Sequence, residues 1–246
     1  MNLRWIFSFL ALASILVGVS PGNAAGKLTI NIASGPPITN AGQTGFLNQV
    51  VREVFRRLDL EAEVVVYKSS ARSLVSADQG IDDGVGLRVK GLEKKYPNLL
   101  RVPEKIIVND FVAFSSRHTI TTDAWGALSN YDIAYINGWQ IFQNNLTEHP
   151  AVLRVKSNRQ LFELLSKGRT DFVLHERWQG TWHAQQMGIE ARAQEPPLAK
   201  RAMFMYLHKK HADLVGPVAS SLSAMKSDGT YRRIVETTLE ALLPRK

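Results

Sequence analysis

Two pairs of titratable residues have spacings that could serve chemistry, but neither pair completes a site. His208 and His211 are three residues apart, so on a helix they could share a metal ion, yet no third ligand is evident. Asp82 and Asp83 are adjacent, and adjacent strand residues face opposite sides, so they cannot easily share one proton. Residues 26–246 contain no motif for a serine nucleophile (Gly-x-Ser-x-Gly), a zinc protease (His-Glu-x-x-His) or a phosphate loop (Gly-x-x-x-x-Gly-Lys). We therefore predict no catalytic residue, no metal site and no cofactor.

The composition excludes several classes of protein. The chain has 246 residues, with 30 basic and 22 acidic side chains and a formal net charge of +8. It is 45% hydrophobic, so it can bury enough surface to fold, which argues against a disordered chain. Because it has no cysteine, a disulfide scaffold and a thiolate metal site are both excluded. At roughly 150 residues per domain, the length predicts one or two domains.

Residues 1–25 have the layout of a secretory signal peptide. Arg4 precedes an uncharged apolar run of 14 residues at 6–19, and small residues follow at 21–25. A membrane anchor is the alternative, but a bilayer span needs about 20 apolar residues. We therefore predict cleavage near Ala25 and an exported protein. Such a protein rarely meets nucleic acid, so its scattered basic residues indicate a solvated surface.

The first part of the mature chain alternates strand and helix patterns. Apolar, β-branched residues alternate at 28–33, and apolar residues recur at three- and four-residue spacing at 46–58. The patterns predict strands at 28–33, 63–67 and 81–87 and helices at 46–58 and 69–77. Alternating strands and helices are typical of a parallel α/β layer.

A second α/β layer is predicted at about 120–195, after a helical segment at 91–96 and extended segments at 99–102 and 106–115. Ser157 and Gln160 form a capping box at the start of a helix that ends at Gly168. The other predicted elements are a helical turn at 123–128, strands at 133–136, 152–155, 171–174 and 202–207, and helices at 178–186, 215–225 and 231–239.

This order of elements resembles the family 3 solute-binding proteins, the periplasmic receptors of ABC importers for polar amino acids and related solutes. The exported start carries part of the resemblance, together with the strand, Gly/Pro turn and helix at 28–58. The segments Ile81-Asp82-Asp83-Gly84, Lys167 to Leu174 and Met225 to Tyr231 carry the rest. The resemblance covers nearly all of residues 27–243.

The resemblance implies an α/β protein with the two-lobed type II periplasmic-binding-protein fold, each lobe a mostly parallel sheet flanked by helices. Lobe one would comprise residues 27–115 and 201–246, and lobe two residues 118–198. Strands near 107–115 and 197–206 would cross between the lobes as a hinge that closes around a ligand. Ligands of open α/β sheets lie beyond the carboxyl ends of strands, here the loops after Ala33, Tyr67, Leu87, Ile136 and Leu174.

The resemblance also implies two sites for an anionic group of the ligand. The family places a carboxylate-binding arginine shortly after the third strand, and Arg88 stands there without the usual Thr-x-x-Arg spacing. A surface arginine is the alternative. Gly138, Trp139 and Gln140 begin the loop where family members bind a carboxylate with helix N-terminal amides. Trp139 could stack on a ligand or cap the core.

Glu176 is expected to hold a cationic group, because it matches the aspartate that pairs with the ligand ammonium in amino-acid-binding members. Arg177 could pair with Glu176 instead, and His175 is expected to be a satisfied loop histidine. Ser34 lies in the first loop, where the aromatic residue frequent in the family is missing. Ser69 could offer a donor to the ligand or cap the following helix.

The predicted function is that of a monomeric periplasmic receptor. It would capture a small polar or anionic, amino-acid-like solute by hinge closure and deliver it to an ABC permease, with no nucleic acid partner. One alternative is a dehydratase-like enzyme of the same fold, with Glu176 or His175 as its acid or base. The other is a ligand-sensing partner of a membrane signalling receptor.

Overall fold

The computed structural model describes residues 26–243. The predicted signal peptide, residues 1–25, lies outside the described residues. Within 26–243, each helix is too short or too polar to cross a membrane.

The first part of the chain forms the predicted α/β layer. Its elements are β1 (Leu28–Ile32), α1 (Phe46–Arg56), β2 (Ala62–Val66), α2 (Ser70–Asp78) and β3 (Gly84–Arg88). β1 pairs in parallel with both β2 and β3. The helix α1 packs on this sheet because its apolar residues recur on one face, where Phe46, Val50 and Val54 are fully buried.

The middle of the chain forms the second layer. Its elements are β4 (Leu99–Ser115), β5 (Ile133–Ile136), α3 (Gln140–Asn145), β6 (Val152–Val155), α4 (Asn158–Ser166), β7 (Phe172–Glu176), α5 (Arg177–Gln186) and β8 (Arg192–Ala193). β5 pairs in parallel with β6 and β7. The chain then ends with β9 (Ala199–His208), α6 (Val215–Ser227) and α7 (Thr230–Thr238), which are joined by short 3₁₀ turns.

Two long antiparallel strands, β4 and β9, connect the layers, and these are the strands predicted to act as hinge strands. The strand order is β2-β1-β3-β9-β4-β7-β5-β6, with β8 on the side against β4. β4 pairs with β9 from Leu99 to Phe111, and its last residues, Phe111 to Phe114, pair with β7. The two central strands therefore belong to both halves of the molecule, which gives the two-lobed type II periplasmic-binding-protein fold.

Each half has its own buried core. On one side, α1, α6 and α7 pack on β1 and β9 through residues such as Phe55, Leu207 and Leu222. On the other side, separate apolar clusters form on the two faces of β5 and β7, around Phe142 and around Phe162. Burial of these apolar side chains is the main force that holds each half together.

The structure differs from the predicted elements at several points. The strand predicted from residue 81 begins at Gly84, although the Asp83 backbone already bonds to Thr29 and His208 of the neighbouring strands. The helical segment at 91–96 is a single 3₁₀ turn, Leu92–Lys94. The two extended segments at 99–115 form one strand, whose register against β9 shifts between Arg101 and Ile107, around Pro103. α3 and β8 were not predicted.

Candidate functional site

A cleft of about 660 Å³ lies where the two halves meet, beside the hinge strands. It is bounded by the ends of β1 and β3, the start of α2, the loop after β5 and the start of α5. The cleft therefore lies at the carboxyl ends of parallel strands, as expected for an open α/β sheet. The structure brings all seven predicted site residues to its wall: Ser34, Ser69, Arg88, Gly138, Trp139, Gln140 and Glu176. Their role in binding a ligand stays a prediction.

Arg88 is directed to the cleft by an irregular strand end. Leu87 has a φ of 50°, a left-handed conformation that leucine rarely adopts, and the register of β3 against β9 shifts between Val85 and Arg88. The guanidinium then donates from Nη1 to Ser70 Oγ and from Nη2 to Ser73 Oγ, both at 2.8 Å. These bonds hold the guanidinium plane in one orientation at the wall of the cleft.

Arg88 is a partly buried cation with neutral partners. Among residues 26–243, no carboxylate forms an ion pair with it, and burial lowers its pKa to about 10. Behind it, Ser73 Oγ donates to Asn31 Oδ1 at 2.6 Å, and Asn31 Nδ2 donates to Asp82 Oδ2 at 2.7 Å. The nearest acidic group of this network is therefore two hydrogen-bonded residues away. A partly desolvated arginine of this kind can be neutralised directly by a bound anion.

The loop after β5 forms the opposite wall of the cleft. Gly138 has a φ of 94°, which favours glycine, and the chain turns there into α3, whose first residue is Gln140. Trp139 caps the core, and its stacking on a ligand stays a prediction. Its ring stacks on Phe142 at 5.6 Å and contacts the edge of Phe111, and it also lines the cleft. Gln140 is exposed, and its Nε2 donates to Gln143 Oε1 at 2.7 Å.

Glu176 lies at the end of β7, where its side chain caps α5. Its carboxylate accepts hydrogen bonds from the amides of Trp178 at 3.1 Å and Gln179 at 3.0 Å. The alternative pairing with Arg177 is wrong, because Arg177 forms ion pairs with Asp110 and Glu195. Glu176 is only 1% exposed, and this burial raises its pKa to about 7.

The two predicted serines have different environments. Ser69 caps α2, since its Oγ accepts from the amide of Arg72 at 3.4 Å, so the capping alternative is confirmed. Ser34 Oγ donates to Gln179 Oε1 at 3.0 Å. Because Ser34 follows β1 and Gln179 belongs to α5, this bond joins the two walls of the cleft.

The remaining titratable residues have structural partners. His175 is buried at the end of β7, not in a loop, and contacts Asn158 Oδ1 at 2.8 Å and the Glu176 carbonyl at 3.0 Å. Burial lowers its pKa to about 3. Asp82 and Asp83 face opposite sides, as predicted, and His211 pairs with Asp83 at 2.7 Å. Residues 26–243 contain no cluster of His, Cys, Asp and Glu that could hold a metal.

Sequence analysis missed several residues of the cleft, among them Lys68, Asn109, Phe111, Gln179 and Met203. Three of these belong to the hinge strands, which the sequence analysis treated as connections rather than as part of the site. One signal was present, since Asn109 interrupts the apolar run of β4. Gln179 lies three residues after Glu176, the N-cap of α5, which is the spacing at which a capping side chain meets the first turn.

Comparison with known proteins finds no matching family profile. One curated relative is an uncharacterized protein of Shewanella oneidensis, 26% identical over 181 residues. The alignment covers 70% of this chain and 66% of that protein, slightly less than two thirds of its length.

Solved structures match over most of both chains. The GluR0 ligand-binding core of Nostoc punctiforme, in complex with L-glutamate, has a TM-score of 0.69 at 15% identity and covers 86% of this chain and 98% of its own. A probable amino-acid ABC transporter extracellular-binding protein of Bacillus subtilis has a TM-score of 0.71 at 15% identity, with 87% and 97% covered.

A histidine kinase sensor domain with similarity to periplasmic binding proteins also matches. It has a TM-score of 0.69 at 12% identity and covers 87% of this chain and 96% of its own. The matches agree with the resemblance to the family 3 solute-binding proteins found in the sequence. At these identities they establish the fold alone: the chain has the two-lobed type II periplasmic-binding-protein fold, with its candidate site in the cleft between the lobes.

Proposed function

We propose that this protein is a periplasmic receptor that closes two lobes around a small anionic, amino-acid-like solute and releases it unchanged. The lobes are residues 27–115 with 201–246, and residues 118–198. The observation that carries the proposal is Arg88, a partly buried cation at the cleft whose only side-chain hydrogen-bond partners among residues 26–243 are serine hydroxyls. A carboxylate in the cleft would accept from this guanidinium and remove the penalty of burying its charge.

Residues on the two walls would hold different parts of the solute. Arg88, assisted by the exposed Lys68, binds the anionic group from lobe one, and the loop Gly138 to Gln140 covers it from lobe two. Glu176 can hold a cationic group, because such a group would favour its ionised form and lower its raised pKa. The bond between Ser34 and Gln179 then stabilises the closed arrangement.

Delivery to an ABC permease is part of the proposal. Its support is the likeness in fold to the extracellular-binding protein of Bacillus subtilis, together with the predicted signal peptide. The protein would act as a monomer. The sensory alternative has support of the same kind, since a histidine kinase sensor domain shares the fold. Permease and ATPase genes beside the gene for this protein would favour transport, whereas a kinase gene would favour sensing.

A ligand screen tests the receptor function. The mature chain is heated with amino acids, dicarboxylates and sulfonates, and compounds that raise its melting temperature are measured by calorimetry. We expect at least one carboxylate to bind, Arg88→Ala to remove that binding, and Arg72→Ala, an exposed arginine of α2, to retain it. The bound compound is then recovered and identified. Unchanged affinity in Arg88→Ala would discard the assigned role of Arg88, and conversion of the compound would favour the enzyme alternative.

A further inference from the structure

A second groove lies at the edge of the sheet, between the end of β6 and one face of α4, with a volume of about 430 Å³. β6 is the last strand on this side of the sheet and, within the described chain, pairs only with β5. The groove shares no lining residue with the cleft between the lobes. It is therefore a separate surface feature, which the proposed receptor function does not use.

Four exposed basic side chains meet at this groove: Arg154, Lys156, Lys167 and Arg169. None of them forms an ion pair with any residue between 26 and 243, whereas other arginines of the same half do. Residues 118–198 contain seven Lys and Arg side chains and eight Asp and Glu side chains. This part of the chain has no excess of positive charge, so the groove gathers more than half of its basic side chains at one place.

The positive charge of the groove is not neutralised from within. Glu163 also lines the groove, but Arg159 Nε lies 2.8 Å from its Oε1 and compensates its charge. Arg154 Nε donates to Tyr135 Oη at 2.9 Å, and this neutral hydroxyl leaves the charge of the arginine uncompensated. Like charges held close together repel one another, and an anionic partner removes that repulsion. The groove therefore fits a partner with several negative charges.

The shape of the groove favours an extended peptide over a single small anion. Along α4 the lining runs from Gln160 to Lys167, which at 1.5 Å per residue is about 10 Å, the length of about three residues of an extended chain. The half-buried Val155 and Leu164 also line it and offer apolar contacts that a phosphate ion would not use. Because β6 is an edge strand, its outer backbone groups can bond an added extended chain.

We propose that the groove between β6 and α4 is a docking site for an extended segment of a partner protein that carries both acidic and apolar side chains. The four basic side chains bind its carboxylates, and Val155 and Leu164 contact its apolar residues. Contacts between exposed charges of this kind weaken as the salt concentration rises. The site lies outside the cleft, so the inference does not depend on which solute the cleft binds.

An eight-residue peptide in which glutamate and valine alternate tests the proposal, with binding to the mature chain measured by fluorescence anisotropy at low salt. We expect the wild type to bind this peptide and the double variant Lys156→Gln and Lys167→Gln to bind it at least about fivefold more weakly. The matched control is the double variant Lys94→Gln and Lys95→Gln, which removes two exposed lysines far from β6 in the chain and should change the affinity by less than about twofold.

Other probes distinguish this partner from other anions. A peptide in which glutamine and valine alternate should not bind, and the double variant Lys156→Glu and Lys167→Glu should instead bind a peptide in which lysine and valine alternate. Circular dichroism checks that each variant is folded. Failure of the glutamate peptide to bind the wild type, equal binding of the glutamine peptide, or preferential binding of inorganic phosphate or of phosphatidylglycerol vesicles would overturn the proposal.

Discussion

Replacing Arg88 by methionine separates the role of this side chain in ligand binding from its effect on folding. Burial lowers the pKa of Arg88 from 12.5 to about 10, and each pKa unit corresponds to about 1.4 kcal/mol. Keeping this guanidinium charged in the fold therefore destabilises the protein by about 3 kcal/mol. The penalty is present at every pH below about 10, because the unfolded arginine is charged throughout that range.

Part of this penalty is offset by the two hydrogen bonds to Ser70 and Ser73. At about 1 kcal/mol each, the two hydrogen bonds stabilise the fold by about 2 kcal/mol. Methionine has a similar length and no charge, so Arg88→Met should have a free energy of unfolding about 1 kcal/mol above that of the wild type without ligand. Its affinity for carboxylates should fall by about 2–5 kcal/mol, since the bound anion loses its charged partner.

Urea denaturation at pH 7 without ligand measures the first effect, and calorimetry with the best carboxylate of the screen measures the second. Arg72→Met is the matched control, because Arg72 lies exposed on the neighbouring helix α2 and should change neither quantity by more than about 0.5 kcal/mol. If the free energy of unfolding of Arg88→Met is lower than that of the wild type by more than about 1 kcal/mol, Arg88 is a structural residue and the reasoning is refuted.

Two further predictions concern stability. Because the pKa of the buried His175 is about 3, the unfolded chain gains a proton there below about pH 6.5 and the folded chain does not. Lowering the pH from 7 to 4 should therefore destabilise the wild type by about 3 kcal/mol relative to His175→Gln in urea titrations. The comparison uses the variant because the raised pKa of Glu176 acts in the opposite direction, and parallel pH profiles would contradict the neutral buried histidine. Gly180→Ala should lower the free energy of unfolding by about 1–3 kcal/mol, since its Cβ would lie 2.3 Å from Phe114 Cε2. Gly216→Ala in α6, with open space around it, should be neutral or slightly stabilising in the same assay, and equal effects at both glycines would argue against tight packing of α5 on β4.

Much of the fold could be predicted because the spacing of apolar residues along the chain indicates which side chains are buried. The helical spacing of apolar residues in α1 and the alternation in β1 follow directly from which side chains face the core. The cap of α4 by Ser157 was also predictable, since capping depends on a few adjacent residues. The loops after strand ends were the right place to search, because parallel strands bring their carboxyl ends to one edge.

Other features could not be predicted because they depend on distant partners. The sequence of β4 predicts two extended segments, since Pro103 and Lys105 interrupt its apolar pattern. Only the pairing with β9 makes it one strand. The short helix α3 has too few residues for a periodic signal. Arg177 stands beside Glu176 in the sequence, yet its ion pairs are with residues far along the chain, Asp110 and Glu195.

By itself, the sequence determined the α/β class, the order of the elements and the set of loops that meet at the cleft. These follow from composition and periodicity, which act over a few residues. Only the tertiary structure decided that Arg88 is partly buried with no carboxylate partner among residues 26–243, that Glu176 caps α5, and that Asn109 lines the same cleft. Burial and hydrogen bonding of a side chain are properties of its surroundings, and those are assembled from β3, β4, β7 and α2, which are separated in the chain and meet only when it folds.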